Sequence, residues 1–92
     1  TMAGNGDSGI FTYDANMLNV TNCLIVNNVN SGINMVFNSP KLFKIVNCTI
    51  SANKIGASIY NYNGNLNIPF TNTIIHGNTN AGIASNGSGT IT

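Results

Sequence analysis

The sequence predicts an all-β solenoid, a chain that winds into stacked coils of short strands. Two observations lead to this prediction. A seven-residue block returns at a spacing of 25 residues, and nearby segments alternate apolar and polar residues with the two-residue period of a half-buried strand. One repeat of this length cannot bury its own apolar side, so neighbouring repeats must share a core. We therefore predict a right-handed parallel β-helix of about four coils, each with three short strands.

The repeated block contains one of these strands and the corner that follows it. Its copies are residues 22–28, 47–53 and 72–78, which share the columns Asn22/Asn47/Asn72, Ile25/Ile50/Ile75 and Asn28/Asn53/Asn78. We expect the isoleucines to form a buried ladder. The last column follows the strand, where a residue must tolerate left-handed backbone geometry and an inward amide can bond to the amides above and below. The sequence thus predicts an asparagine ladder of Asn28, Asn53 and Asn78.

The other two strands of each coil hold the same register. One is opened by glycine and directs an apolar residue inward, and the other carries two inward columns. These columns are Ile10/Ile33/Ala57/Ile83, Leu18/Phe43/Ile68 and Val20/Ile45/Phe70. Cys23 and Cys48 share a further inward column with Thr73, which favours two small buried thiols stacked on neighbouring coils. A disulfide is the alternative, although paired parallel strands hold their Cα atoms near the short end of bridge geometry.

The composition excludes several classes of partner. Charged residues make up only 5% of the chain and the net charge is +1. Without a basic cluster the chain cannot neutralise a run of phosphates, and no apolar run is long enough to span a bilayer. We therefore predict neither nucleic-acid binding nor membrane insertion. The polar surface is instead supplied by hydroxyl groups and by the amides of 19 asparagines.

The ionisable residues do not form a recognisable catalytic set. Glycoside cleavage generally needs two carboxyl groups, and Asp7 and Asp14 are the only acids in the chain. They flank opposite ends of one predicted strand and have the character of turn residues. His76 falls on an outward position with no cysteine or carboxylate at ligand spacing. We predict no enzymatic activity, no metal site and no cofactor.

One outward surface is distinctive. Phe11, Tyr13 and Tyr60 project from the glycine-led strands, and Tyr62 lies just beyond, among amides and hydroxyls. Aromatic rings beside amides suit sugar stacking or the lateral packing of one solenoid on another. Scattered exposed aromatics without a function remain the alternative.

The motif itself resembles a known family. A Gly-Ile opening, as at Gly32-Ile33, is followed by Asn-Cys-Thr-Ile-x-x-Asn at residues 47–53. This pattern resembles the parallel β-helix repeat of pectate-lyase-like carbohydrate enzymes, polymorphic outer membrane proteins and many large bacterial surface proteins. The resemblance covers nearly the whole chain and implies the architecture. It implies no single activity, because such proteins include lyases, hydrolases, adhesins and plain stalks.

The register extends to both termini. Met2 falls in the Ile25 column and Ile91 in the Leu18 column, so residues 1–92 are predicted to form one solenoid segment, uncapped at both ends. We expect it to continue axially, through further coils of a longer chain or through copies joined end to end. The preferred hypothesis is a structural section of an extracellular fibre or cell-surface stalk. The alternatives are a carbohydrate-binding or adhesin module and, as the weakest, part of an enzyme whose catalytic acids lie elsewhere.

Overall fold

A computed structural model describes residues 1–14, 17–37, 42–61, 67–87 and 90–91, and no helix occurs in these ranges. The strands of the described chain are, in order, β1 (Met2–Ala3), β2 (Ser8–Tyr13), β3 (Met17–Thr21), β4 (Leu24–Val26), β5 (Ser31–Phe37), β6 (Leu42–Val46), β7 (Thr49–Ser51), β8 (Ile55–Asn61), β9 (Asn67–Ile68), β10 (Phe70–Thr71), β11 (Ile74–His76), β12 (Ala81–Gly87) and β13 (Thr90–Ile91).

Each strand pairs in parallel with its equivalent one coil away. Sheet 1 has the order β1-β4-β7-β11 and sheet 2 the order β2-β5-β8-β12. Sheet 3 has the order β3-β6-β10, and the short pair β9-β13 continues the same side of the coil. The chain therefore passes through the three sides in turn and then repeats, which confirms a parallel β-helix. The thirteen described strands form four coils of three sides, with two short strands, β9 and β10, on the third side of coil three.

The register places the repeated residues in vertical columns through the core. Met2 pairs with Ile25, Ile25 with Ile50, and Ile50 with Ile75. Sheet 2 stacks Ile10, Ile33, Ala57 and Ile83 in the same way. Ile25, Ile33, Ile45 and Ile50 on the two middle coils are completely buried, as the repeat predicts. Each such side chain is hidden by equivalents above and below it, a burial that no single coil achieves.

The structure differs from the predicted columns in three respects. Pro69 divides the predicted strand of coil three into β9 and β10, because proline has no N–H to donate to the ladder, although its carbonyl still accepts from Ile45 N–H at 3.3 Å. Ile83 is 37% exposed because it lies on the outermost described coil. Sheet 2 also contains an inward column that the sequence reading did not single out, in which Thr12, Met35, Ile59 and Ser85 are stacked.

The prediction of left-handed backbone at Asn28, Asn53 and Asn78 is wrong. Positive φ angles fall one residue earlier, at Gly4, Asn27, Ala52 and Gly77, and in a second column at Asn22, Asn47 and Asn72. The left-handed residue turns the chain, which allows the next residue to direct its amide inward. One residue of the corner therefore turns the chain, and the residue after it forms the internal hydrogen bonds.

The glycines that open the strands of sheet 2 are required by close packing between coils. A Cβ atom on Gly32 would lie 2.6 Å from the carbonyl oxygen of Gly56 and 2.7 Å from Cγ2 of Ile50. Gly9 and Gly56 stand in equivalent contacts one coil away on either side. These distances are shorter than van der Waals contact, and one of the atoms is backbone, so a side chain would force the coils apart.

We therefore expect Gly32→Ala to lower the free energy of unfolding by roughly 2–4 kcal/mol. Gly6→Ala is the matched control, because a Cβ at Gly6 meets no atom within 4 Å. Urea unfolding of both variants measures the difference. Equal stability of the two would contradict the close-packing explanation.

Candidate functional site

The asparagine column forms a continuous hydrogen-bonded ladder inside the corner between sheets 1 and 2. Asn28 donates from its backbone N–H and from Nδ2 to Oδ1 of Asn53, at 2.9 and 3.0 Å. Asn53 makes the same two bonds to Oδ1 of Asn78, at 3.0 and 3.2 Å. The second Nδ2 hydrogen points the other way, from Asn53 to the carbonyl of Ile25 at 3.2 Å. Asn28 and Asn53 are 3% and 1% exposed, so these bonds satisfy amides that water does not reach.

The ladder has a direction. Asn5, Asn28 and Asn53 donate forward to the Oδ1 of the following coil. Asn28, Asn53 and Asn78 donate backward from Nδ2 to a carbonyl of the preceding coil. At its last member, Asn78, the backbone N–H and one Nδ2 hydrogen have no acceptor among the described residues. At its first member, Asn5, the Oδ1 has no donor within the same described part of the chain. One end of the ladder thus presents donors and the other presents an acceptor.

The cysteine column closes the turn between sheets 3 and 1. Sγ of Cys48 lies 3.2 Å from the carbonyl of Val46, two residues earlier, and 3.4 Å from that of Val20 on the preceding coil. Thr73 Oγ1 lies 2.9 Å from the equivalent carbonyl of Thr71 and 3.4 Å from that of Ile45, so its single O–H hydrogen donates between these two acceptors. Both cysteines are free, with Cys48 buried and Cys23 partly buried. The column therefore holds a small side chain with a hydrogen to donate, a role that thiol and hydroxyl share.

The acids and the histidine lie at separate places on the surface. Asp7 precedes β2 and accepts hydrogen bonds from Ser8 Oγ and from Asn30 Nδ2 on the next coil. Asp14 follows β2 in a left-handed turn, and its N–H donates to the carbonyl of Val36 at 2.7 Å. His76 is exposed on the outward side of β11, opposite Ser51. In the described ranges no three His, Cys, Asp or Glu side chains are placed to hold a metal ion.

The predicted aromatic residues share the outer side of sheet 2. Phe11, Tyr13 and Tyr60 are 58%, 65% and 43% exposed. Tyr13 pairs with Val36 and Val36 with Tyr60, so the two tyrosines stand in one column, two coils apart. Tyr62 lies outside the described residues. We call the outward residues of sheet 2 the aromatic face; they are Phe11, Tyr13, Asn34, Val36, Ser58, Tyr60, Ala84 and Asn86.

An unpaired acceptor lies within this face. Oδ1 of Asn34 is buried and has no hydrogen-bond partner among the residues that the structure describes. Asn34 pairs with Phe11 on one side and Ser58 on the other, which places its amide beside Val36 and between the coils of the two tyrosines. A buried acceptor without a donor is costly, and sequence reasoning could not find it because its isolation depends on the packing around it.

No helix in the described part of the chain has the length and apolarity to cross a membrane.

The chain has continuous parallel sheets, an internal asparagine ladder and glycines that allow close packing between coils. These features define a parallel β-solenoid. The model of the family described as "Right handed beta helix region" matches residues 1–92, and the chain belongs to this family. Comparison with curated proteins gives no match. Comparison with solved structures likewise gives none. The family match establishes the right-handed coil, and membership alone does not decide whether a chain is an enzyme.

The ladder geometry predicts a large effect at Asn53. We expect Asn53→Leu to lower the free energy of unfolding by about 3–5 kcal/mol. The substitution leaves the donors of Asn28 and the acceptor of Asn78 in the core without hydrogen-bond partners. Asn19→Leu, at an exposed position of β3, is the control and should change stability by under about 0.5 kcal/mol. Chemical denaturation tests both, and a tolerated Asn53→Leu would refute the ladder's energetic role.

The cysteine column predicts that stability depends on a hydrogen-bond donor at position 48 as well as on the shape of the side chain. We expect Cys48→Thr to retain stability within about 1 kcal/mol, because Thr73 already occupies the equivalent position. Cys48→Val has nearly the same shape as the threonine variant but no hydrogen to donate, so it should be less stable than that variant by about 1–2 kcal/mol. Thermal unfolding under reducing conditions compares the two. A more stable valine variant would show that packing alone governs the column.

Proposed function

We propose that the chain is a structural, non-catalytic section of an extracellular fibre or cell-surface stalk, joined axially to further solenoid. The observation that carries the proposal is the direction of the asparagine ladder. Its Asn78 end presents donors and its Asn5 end an acceptor, so one end fits the other head to tail. The coils that continue it belong either to the same longer chain or to another copy.

The apolar columns support the same joining. Ile33 and Ile50 are completely buried on the middle coils, whereas Ile83 is 37% exposed and Ile75 is only partly buried on the outermost described coil. Another coil stacked on β11 and β12 would bury these side chains and pair the strand edges. A surface with only 5% charged residues offers little electrostatic resistance to such pairing. The extracellular location follows from the resemblance to bacterial surface proteins and is part of the proposal.

Carbohydrate binding by the aromatic face is the second candidate function. It is favoured by the exposure of Phe11, Tyr13 and Tyr60 on one side of one sheet. The two candidates are compatible, because axial joining uses the ends of the coil and the aromatic face lies along its side.

Electron microscopy of the purified protein tests the axial joining. We expect elongated particles whose length grows along the coil axis by about 4.8 Å per coil. Ile83→Lys should abolish the elongation, because it places a charge in the stacking surface. Ile74→Lys is the matched control: Ile74 is 60% exposed on the outward side of β11, where a lysine leaves the stacking surface unchanged.

Two outcomes would overturn the end-to-end joining of copies and would leave continuation within one longer chain as the form of axial joining. One is a wild-type protein that remains, at high concentration, as isolated particles near 32 × 23 × 18 Å. The other is elongation that Ile83→Lys and Ile74→Lys affect equally. Circular dichroism and thermal unfolding of the variants establish that each has kept its fold.

A further inference from the structure

The aromatic face carries no charged side chain. Its eight residues are aromatic, aliphatic, amide or hydroxyl. Asp14, half-buried where the chain leaves β2, is an acid at its rim. A polymer with carboxylate or sulfate groups would find no basic partner on this face and one negative neighbour. The electrostatics therefore favour an uncharged ligand.

The spacing of the two tyrosines suggests the shape of that ligand. Tyr13 and Tyr60 are separated by two steps between paired strands, a distance of roughly 10 Å along the coil axis. The intervening residue, Val36, is half-buried and leaves an apolar floor between the rings. In a β-1,4-linked polysaccharide successive sugar rings are turned over, so every second ring presents the same face. The separation of the tyrosines is about the length of two such linked rings.

The polar group between the rings also fits a sugar. Aromatic ring faces attract the weakly positive C–H groups of a sugar ring, and sugar hydroxyls provide donors at its edge. Oδ1 of Asn34 is an acceptor without a donor in the described part of the chain. The terminal torsion of an asparagine side chain has a broad energy minimum, so a small rotation can turn this oxygen toward a ligand hydroxyl. A bound sugar would thereby satisfy an acceptor that costs stability in the unliganded protein.

We propose that the aromatic face binds a single strand of uncharged β-1,4-linked polysaccharide, aligned with the coil axis. Alternate sugar rings stack on Tyr13 and Tyr60, and a hydroxyl of the sugar between them donates to Asn34. Phe11 extends the apolar contact beside Tyr13 on the same coil. This inference rests on the second candidate function and is independent of axial joining.

The test uses isothermal titration with a soluble β-1,4-linked glucan hexasaccharide. We expect saturable binding that Tyr13→Ala weakens about tenfold or more. The sharper variant exchanges two side chains of one column, as Val36→Tyr with Tyr60→Val. It preserves the composition of the face but brings the two tyrosines to adjacent coils, about 4.8 Å apart, so it should lose binding as well. Ile74→Ala, which removes an equally exposed apolar side chain from sheet 1, should bind like the wild type.

Each contrary result has a distinct meaning. Absence of binding by a folded wild-type protein, or equal binding by the exchanged variant, overturns the proposal. Binding of polygalacturonate in place of the neutral hexasaccharide overturns the ligand class while carbohydrate binding survives. Concentration-dependent self-association that the exchanged variant abolishes would identify the face as a lateral contact between copies, which also overturns the proposal. Thermal unfolding verifies that every variant is folded, and Tyr13→Ala keeps the test decisive if the exchanged variant is not.

Discussion

The structure depends on the hydrogen bonding of one inward asparagine amide in each coil, which is buried on the two middle coils. The corner between sheets 1 and 2 brings backbone N–H and carbonyl groups into the interior, where water does not reach them, so each needs an internal partner. Asn28 and Asn53 meet this need by bonding at once to the coil above and the coil below. Each bond requires an asparagine at the equivalent corner position of the next coil. The ladder therefore fixes the register of all three sheets.

This constraint applies to the interior and leaves the outer surface variable. Leu24, Thr49 and Ile74 share one outward column, and Tyr13, Val36, Tyr60 and Asn86 share another, and neither column keeps one residue type throughout. A side chain that points outward contributes little to the stacking of coils, so substitutions there cost little stability. A solenoid can therefore combine a binding surface with a structural role. The two are separable because axial joining uses the ends of the coil and binding uses its side.

The stacking also makes the molecule quasi-one-dimensional. Each coil contacts chiefly its neighbours, so the environment of a residue depends on its height in the stack as much as on its type. Ile33 and Ile83 occupy the same column in the same kind of strand, yet one is fully buried and the other is 37% exposed. The outer coils are accordingly where the column is incomplete, and the direction of the ladder gives their two surfaces different hydrogen-bonding character.

The sequence by itself determined the architecture, because the 25-residue repeat aligns Ile25 with Ile50 and Ile75 and aligns the asparagines three residues later. A period can be read directly from residue identities, and stacking follows from the need to share a core. Only the tertiary structure decided that the left-handed turn falls at Asn27 and Ala52, not at the ladder asparagines. It alone also revealed the unpaired oxygen of Asn34 and the carbonyl that excludes a side chain at Gly32. These features depend on distances between coils, and the order of residues along one chain does not encode such distances locally.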